Sequence, residues 1–181
     1  MKLTGICWAY GDDVNTDVIF PGKYTYTMTN IADFKKVALE DLDPEFAKNV
    51  QAGDIIVAGK NFGCGSSREQ AAVCIKMCGV KVIVAKSFAR IFFRNCVNNG
   101  VLPIVCPAAV NALQKGDEIT VDLERNEITL STQHSALSTF TFPPLSPSVT
   151  AIIDSGGLIP MLRKKLGTEH LPMPEVKFAS E

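Results

Sequence analysis

The chain has 181 residues, a hydrophobic fraction of 46% and a formal net charge of −1 at pH 7, as expected for one globular domain with a core. The balanced charge gives no reason to expect nucleic acid or an anionic membrane as a partner, and no apolar run approaches the roughly 20 residues of a membrane helix. The N-terminus, Met1–Cys7, lacks the apolar segment of a signal peptide, so we expect a cytoplasmic protein.

The first part of the chain is expected to contain one strand followed by turns and short helices. The strand covers Leu3–Tyr10, and the turn formers of residues 11–17 come next. Lys23–Asn30 is polar and is expected to form an exposed loop. A short helix is expected over Asp33–Leu42, and Asp43-Pro44 has the N-cap and N1 chemistry of another that runs to about Asn49.

The middle of the chain alternates between strands and helices. A strand over Ile55–Ala58 leads into a loop rich in glycine and serine, and the helix after this loop is expected to end at Gly79. A second strand, a helix capped by Ser87 and a third strand follow, over Val80–Ala85, Phe88 to about Asn98, and Val101–Val105. This order predicts an α/β fold with βαβ units around a buried parallel sheet.

The last part of the chain has a different pattern. Apolar and polar residues alternate over Glu118–Leu123 and over Glu127–Ser131, which predicts an antiparallel hairpin. Prolines 143, 144 and 147 predict a linker, and a final helix is expected over Leu158–Leu166, ending at Gly167. We therefore expect a single domain over residues 1–167 and a loosely ordered C-terminal tail over residues 168–181.

The cysteines are expected to be free thiols with structural roles. All six are scattered, and in a chain of this length without an export signal free thiols are favoured over a disulfide framework. Cys74 and Cys78 are one helical turn apart and could share a metal ion, but no histidine is near them, and buried packing is favoured. His134 and His170 lie in late polar segments, which gives little support for a Cys–His or Ser–His catalytic pair.

Residues 59–72 are the most informative stretch of the chain, and they contain the loop Gly63–Arg68. Its glycines allow the backbone to approach a ligand closely, and Ser66 with Glu69 has the spacing of a capping box, so a helix is expected to begin near Ser66. A helix start, two hydroxyls and the guanidinium of Arg68 favour an anion such as a carboxylate. The segment is neither a Walker loop nor a Gly-x-Ser-x-Gly nucleophile elbow. A structural alternative stays open, in which a serine only caps the helix and Arg68 pairs with an acidic side chain of the same chain.

Three segments in series resemble the swivelling domain of the aconitase superfamily. They are a first loop, a glycine–serine–arginine signature and a third block, at Asp13–Tyr24, Gly63–Ala71 and Ser87–Gly100. The overall length and Gly156–Leu158 also fit the short, separate small subunits of isopropylmalate-type dehydratases. Small subunits of homoaconitase and dimethylmalate dehydratase are near relatives.

The resemblance implies a fold and an activity. The fold is an α/β swivelling domain with three layers (β/β/α), a mixed, mainly parallel central sheet and an antiparallel hairpin. The activity is that of a hydro-lyase subunit that isomerises 2-isopropylmalate and 3-isopropylmalate by dehydration and rehydration in leucine biosynthesis. A homoaconitase, dimethylmalate or citramalate type of dehydratase is the alternative, and a stand-alone anion-binding swivel domain is the hypothesis from another class.

The resemblance also implies a cofactor and a partner. The family uses a [4Fe–4S] cluster whose open iron binds the substrate as a Lewis acid, and in two-subunit enzymes the large subunit supplies the cluster cysteines. The cysteines of this chain lack cluster-type spacing, in agreement with that arrangement. The expectation is therefore a chain that binds no metal itself, is inactive alone, and forms a heterodimer with a cluster-bearing large subunit to act on a small hydroxy-dicarboxylate.

By position in the matching segments, the resemblance assigns roles to four residues. Ser66 matches the base that removes a proton from a substrate carbon, and Asp17 matches an aspartate of the same active site that orients or balances charge. Ser67 matches a serine at the substrate, and Arg68 matches the arginine that grips a substrate carboxylate.

The loop Lys23–Thr27 matches the segment that contacts the substrate side group, which makes Lys23, Tyr24, Thr25 and Tyr26 candidate substrate-binding residues. Several relatives have an arginine shortly after the tyrosine, where this chain has threonine and tyrosine, so a small or apolar substituent is favoured over an extra carboxylate. Lys23 could still supply a charge, and the tyrosines could simply pack the loop.

Two arginines in the third block, Arg90 and Arg94, are one helical turn apart and could face the substrate. We favour the alternative that they bind carboxylates or carbonyls of the chain itself.

Overall fold

The computed structural model of the protein describes residues 1–131 and 138–172. Its centre is a seven-stranded sheet. In chain order the strands are β1 (Lys2–Ala9), β2 (Ile55–Ala58), β3 (Val82–Ala85), β4 (Leu102–Val105), β5 (Glu118–Asp122), β6 (Glu127–Ser131) and β7 (Ser138–Thr141).

Helices follow most of the parallel strands, and two 3₁₀ segments, Gly22–Tyr24 and Ile31–Val37, lie in the first third of the chain. In chain order the α-helices are α1 (Thr16–Ile19), α2 (Phe46–Asn49), α3 (Glu69–Met77), α4 (Arg90–Asn98), α5 (Pro107–Ala112), α6 (Pro147–Asp154) and α7 (Leu158–Leu166).

The sheet is mixed, with the order β4-β3-β2-β1-β5-β6-β7. Strands β1 to β4 pair in parallel, with Trp8 opposite Ile56 and Ile56 opposite Ile83. Strands β5, β6 and β7 add an antiparallel half on the other side of β1. The predicted α/β fold with a mixed sheet is confirmed, and its antiparallel part contains β7 in addition to the expected hairpin.

Both faces of the parallel half are covered, which gives the fold three layers. Along β2, Ile56 and Ala58 belong to an apolar cluster with α3 and α4, whereas Ile55 and Val57 belong to a second cluster with α5 and the antiparallel strands. All four residues of β2 are buried, as are all four of β3. Continuous burial explains why these strands read as unbroken apolar runs rather than as alternating patterns.

The helix after the Gly63–Arg68 loop begins at Glu69, so the prediction of a capping box at Ser66 is wrong. The carbonyl of Ser66 accepts hydrogen bonds from Arg68 N at 2.8 Å and from Thr16 Oγ1 at 2.9 Å, which holds it in a turn. Gly65 has φ +92°, a backbone conformation that a right-handed helix cannot include. Arg68 is the N-cap residue and makes no side-chain cap, while the Glu69 carboxylate accepts from Asn99 Nδ2 at 3.0 Å.

Other elements also differ from the predicted ones. Ser87 does not cap α4, because its hydroxyl accepts a hydrogen bond from Asn61 N at 2.8 Å. Pro147 of the expected linker stands in the first turn of α6, where proline fits well, so this part of the linker is helical. The helix expected over residues 33–42 is instead the 3₁₀ segment Ile31–Val37.

The structure describes only part of the C-terminal tail that we expected over residues 168–181. Residues 173–181 and His134 lie outside the described residues. Within residues 168–172, the carbonyls of Thr168 and Glu169 accept hydrogen bonds from the guanidinium of Arg163. The domain boundary at residue 167 stays a prediction.

Within residues 1–131 and 138–172, no helix has both the length and the apolar character needed to cross a membrane.

Candidate active site

Two loops at the carboxyl ends of β1 and β2 lie side by side and build the candidate site. Backbone hydrogen bonds of 2.8–3.0 Å join them: Gly59 N to Gly11 O, Asp13 N to Lys60 O, Gly63 N to Val14 O, and Thr16 N to Cys64 O. Because β1 and β2 are parallel neighbours, their carboxyl ends meet at one edge of the sheet, where α/β folds commonly bind ligands. The first and second segments of the sequence signature are therefore adjacent in space.

Two glycines make this close approach possible. A Cβ atom at Gly59 would lie 2.0 Å from Asp12 Oδ1, and a Cβ atom at Gly63 would lie 2.0 Å from the ring of Phe92. Gly63 also has φ +77°, which side chains rarely adopt. Any other residue at these positions would push the two loops apart or displace the buried ring.

An ion pair between Asp17 and Arg68 joins the two loops. Asn15 caps α1 by accepting a hydrogen bond from Val18 N at 2.8 Å, which places Asp17 in the first turn of that helix. Arg68 Nη1 lies 2.5 Å from Asp17 Oδ1, and the two side chains are 24% and 48% exposed. The pairing of Arg68 with an acidic residue of the same chain is thus present, and its partner is the other predicted site residue.

Gly22 connects this pair to the loop Lys23–Thr27. A Cβ atom at Gly22 would lie 2.8 Å from Asp17 Oδ1 and 3.0 Å from Arg68 Nη1. The 3₁₀ turn Gly22–Tyr24 therefore begins directly against the ion pair. The structure brings the loop of the first segment next to the signature, although the sequence analysis did not single out Gly22.

Ser66 and Ser67 are exposed and lie beside the ion pair in the chain. Neither hydroxyl makes a hydrogen bond with another residue of the described ranges, because the Ser66 contacts to Thr16 and Arg68 use its backbone carbonyl. Both hydroxyls are thus free for a ligand, and α3 presents its N-terminus and positive dipole end just after them. Thr16, which holds the Ser66 backbone, was missed as a site residue although it lies in the first matching segment.

Buried polar atoms without hydrogen bonds concentrate at this site. Across the described parts of the chain, such side-chain atoms are Thr25 Oγ1, Glu40 Oε1 and Arg68 Nη1. The last two each touch an opposite charge at 2.5 Å, but neither contact has hydrogen-bond geometry. The ion pairs satisfy Glu40 Oε1 and Arg68 Nη1 electrostatically, which leaves Thr25 Oγ1 as the atom of this set without a partner among the described residues.

The loop Lys23–Thr27 is held by a residue that the sequence analysis missed. Lys23 Nζ lies 2.5 Å from Glu40 Oε1, and the Tyr24 hydroxyl donates to Glu40 Oε2 at 3.2 Å. Contact with the Glu40 carboxylate raises the pKa of Lys23, so the ammonium stays charged and paired. The free charge that Lys23 could have supplied to a substrate is thus neutralised within the chain, while Tyr26 is 77% exposed.

Arg90 and Arg94 are not used as expected. Both are exposed, and neither forms an ion pair or hydrogen bond with any residue that the structure describes, so the expected carboxylate or carbonyl partners are not found among those residues. They line a 550 Å³ groove with Phe88, Phe93 and Val105. This groove lies beside the site, because Phe62 of the second loop pairs with Phe88.

A separate apolar cavity of 430 Å³ lies at the opposite, amino-terminal end of the strands. Leu3 before the middle of β1, Val80 before β3 and Val101 before β4 contribute to its lining. It is remote from the two loops and contains none of the predicted site residues.

All six cysteines are free thiols, and all except Cys64 are buried. Burial raises the pKa of Cys7 and of Cys78 to about 12, so both are neutral thiols at pH 7. Cys74 Sγ donates to the carbonyl of Phe34 at 3.2 Å. Among the described residues, no group of three or more Cys, His, Asp or Glu side chains is placed to hold a metal ion.

Comparison with protein families gives one match that covers the site. The model described as the aconitase C-terminal domain matches residues 12–109, which include both loops and the third block.

Individual relatives cover nearly the whole chain. The 3-isopropylmalate dehydratase small subunit of Heliobacterium modesticaldum is 44% identical over 166 residues, which are 92% of this chain and 98% of the relative. The methanogen homoaconitase small subunit of Methanocaldococcus jannaschii is 42% identical over 165 residues, 91% of this chain and 94% of the relative. A crystal structure described as 3-isopropylmalate dehydratase from the same archaeon superposes with a TM-score of 0.86 at 39% identity, covering 94% and 98% of the two chains.

Proposed function

The chain belongs to the aconitase C-terminal domain family, and on that premise we propose that it is the small subunit of a hydro-lyase that interconverts 2-isopropylmalate and 3-isopropylmalate. The reaction is a dehydration followed by a rehydration, in leucine biosynthesis. The observation that carries the proposal is the Asp17–Arg68 pair, which joins the two matching loops within the segment that also carries the exposed Ser66 and Ser67.

Arg68 binds a carboxylate of the substrate in this proposal. Asp17 Oδ1 pairs with Nη1, and no hydrogen bond to a described residue occupies the rest of the guanidinium fork, which is available for a planar, charge-assisted contact. Asp17 fixes the orientation of the fork and balances part of its charge. The hydroxyl of Ser67 adds a polar contact at the same edge.

Ser66 acts as the base that removes a proton from the substrate carbon. A serine hydroxyl is a weak acid, so its alkoxide needs electrostatic stabilisation. The positive end of the α3 dipole and the guanidinium of Arg68 are the groups that supply it in this chain. Because Thr16 and Arg68 N both hold the Ser66 carbonyl, the backbone of the base is fixed before substrate binds.

The loop Lys23–Thr27 selects the substrate side group. Its single cation is paired with Glu40, and the remaining side chains are uncharged, so the loop offers no free charge to an extra carboxylate. A surface of this kind suits an apolar substituent such as isopropyl. A homoaconitase-type activity is the second candidate, since one of the relatives has that name.

A cluster-bearing large subunit completes the enzyme. Among the described residues, no three Cys, His, Asp or Glu side chains are placed together to hold a metal, so we assign the [4Fe–4S] cluster and its Lewis acid chemistry to the partner. The partner docks over the face that carries Asp17, Ser66–Arg68 and the loop Lys23–Thr27, where Ser66, Ser67 and Tyr26 are exposed. The proposed heterodimer is cytoplasmic.

A substrate panel tests this function. The chain is purified with its large subunit, and hydration of isopropylmaleate, citraconate, homoaconitate and dimethylmaleate is measured under identical conditions. The highest kcat/KM is expected for isopropylmaleate. A higher value for another acid would assign the enzyme to that type of dehydratase, and binding of these acids without turnover would favour the stand-alone anion-binding hypothesis.

A further inference from the structure

Glu40 makes two contacts with the loop Lys23–Thr27 and belongs to none of the segments that define the site. One carboxylate oxygen pairs with Lys23 Nζ at 2.5 Å, and the other accepts from the Tyr24 hydroxyl at 3.2 Å. The side chain is 26% exposed, and Oε1 is fully buried. Asp41 adds a longer contact of 3.9 Å to Lys23.

The backbone on both sides of Glu40 is fixed, so its carboxylate has a defined position. Leu39 is fully buried, has φ +56°, and donates its N–H at 3.0 Å to the carbonyl of Ile19, the last residue of the helix that carries Asp17. The Tyr24 ring packs against Phe20 with the ring centroids 6.5 Å apart. Lys23 Nζ lies 5.1 Å from the centroid of the Tyr24 ring.

We propose that Glu40 is a positioning residue that determines substrate specificity by neutralising Lys23 and fixing Tyr24 in the loop that contacts the substrate side group. This inference rests on the proposed function. Glu40 acts through the two loop residues and does not itself touch substrate.

The proposed specificity depends on whether the positive charge of Lys23 in this loop is compensated. With Glu40 ionised, the Lys23 ammonium has a carboxylate partner and the loop offers an apolar substituent a surface without free charge. Without that carboxylate, the Lys23 ammonium would keep only its longer contact with Asp41 and would stand largely uncompensated in the loop next to the Asp17–Arg68 pair, because a Cβ atom at Gly22 would touch both of those side chains. A free cation disfavours an isopropyl group and favours an additional substrate carboxylate. The ion pair is partly exposed, so its removal is expected to affect folding little.

The test compares kinetics of the complete two-subunit enzyme containing Glu40→Gln with those of the unmodified enzyme. For isopropylmaleate we expect KM to rise about fivefold with little change in kcat, and for homoaconitate we expect KM to fall. The double variant Lys23→Met/Glu40→Gln removes the unpaired ammonium and should return the selectivity toward that of the unmodified enzyme. Glu45→Gln is the matched control, since it breaks a comparable ion pair with Lys48 on α2 and should leave both KM values unchanged.

Tyr24→Phe tests the positioning role without changing any charge. Loss of its hydrogen bond to Glu40 should raise KM for both acids while preserving the preference between them. Unchanged selectivity in Glu40→Gln, or no recovery in the double variant, would contradict the inference while leaving the proposed function intact. Failure of the unmodified enzyme to hydrate isopropylmaleate would instead contradict the proposed function.

Discussion

Replacing Ser66 by alanine is expected to lower kcat of the reconstituted enzyme by about 10²–10⁴-fold, the usual effect of removing a proton-transfer group. The side chain is exposed and makes no hydrogen bond within the described residues, so the free energy of unfolding should change by less than about 0.5 kcal/mol. Turnover is measured with a saturating amount of large subunit, and stability by thermal unfolding of the isolated chain.

Ser146→Ala is the matched control for this experiment. Ser146 caps α6 by accepting a hydrogen bond from Val149 N at 3.4 Å, and its replacement should cost about 0.5–2 kcal/mol of stability. Because Ser146 lies outside both loops, kcat should be unchanged. A Ser66→Ala enzyme with near-normal kcat would assign the proton transfer to another group.

Arg68→Lys is expected to raise KM by about 10–100-fold. The compact ammonium of lysine cannot make the planar contacts by which a guanidinium binds Asp17 and a substrate carboxylate at the same time. Each hydrogen bond to a charged group contributes about 1.5–3 kcal/mol to binding, which corresponds to this change in KM. The result is read from initial rates over a range of isopropylmaleate concentrations.

Arg125→Lys controls for the general effect of this substitution, since Arg125 is exposed at the turn between β5 and β6. Its KM should match that of the unmodified enzyme. An unchanged KM in Arg68→Lys would mean that the guanidinium serves only the ion pair with Asp17.

Local sequence signals were sufficient where a single element determines its own boundaries. The strand β2 and the helix α7 have the predicted limits. The strand is an apolar run between Gly53-Asp54 and Gly59, and the helix is followed by Gly167 at φ +64°, so neighbouring residues determine both sets of limits. The alternation of strands and helices also predicted the parallel half of the sheet, since parallel strands need crossover connections.

The remaining differences arise from contacts between distant parts of the chain. The start of α3 depends on Thr16, whose hydroxyl holds the Ser66 carbonyl from 50 residues away in the sequence. The Glu40–Lys23 pair cannot be identified from sequence, because Glu40, Asp41 and Asp43 are equally plausible partners until the fold places one of them. The resemblance identified candidate site residues by their type and order in the sequence. The Asp17–Arg68 contact and the position of Gly22 against that pair are visible only in the folded structure.

The most direct measurement of the central claim is a titration of the purified large subunit with this chain while isopropylmalate dehydration is followed. Turnover should be absent for either chain alone and should rise to a plateau at one copy of this chain per large subunit. The same titration with the Ser66→Ala chain should show equal binding of the two subunits and a plateau lower by about 10²–10⁴-fold. Turnover by this chain without its partner, or equal plateaus for the unmodified and Ser66→Ala chains, would contradict the account.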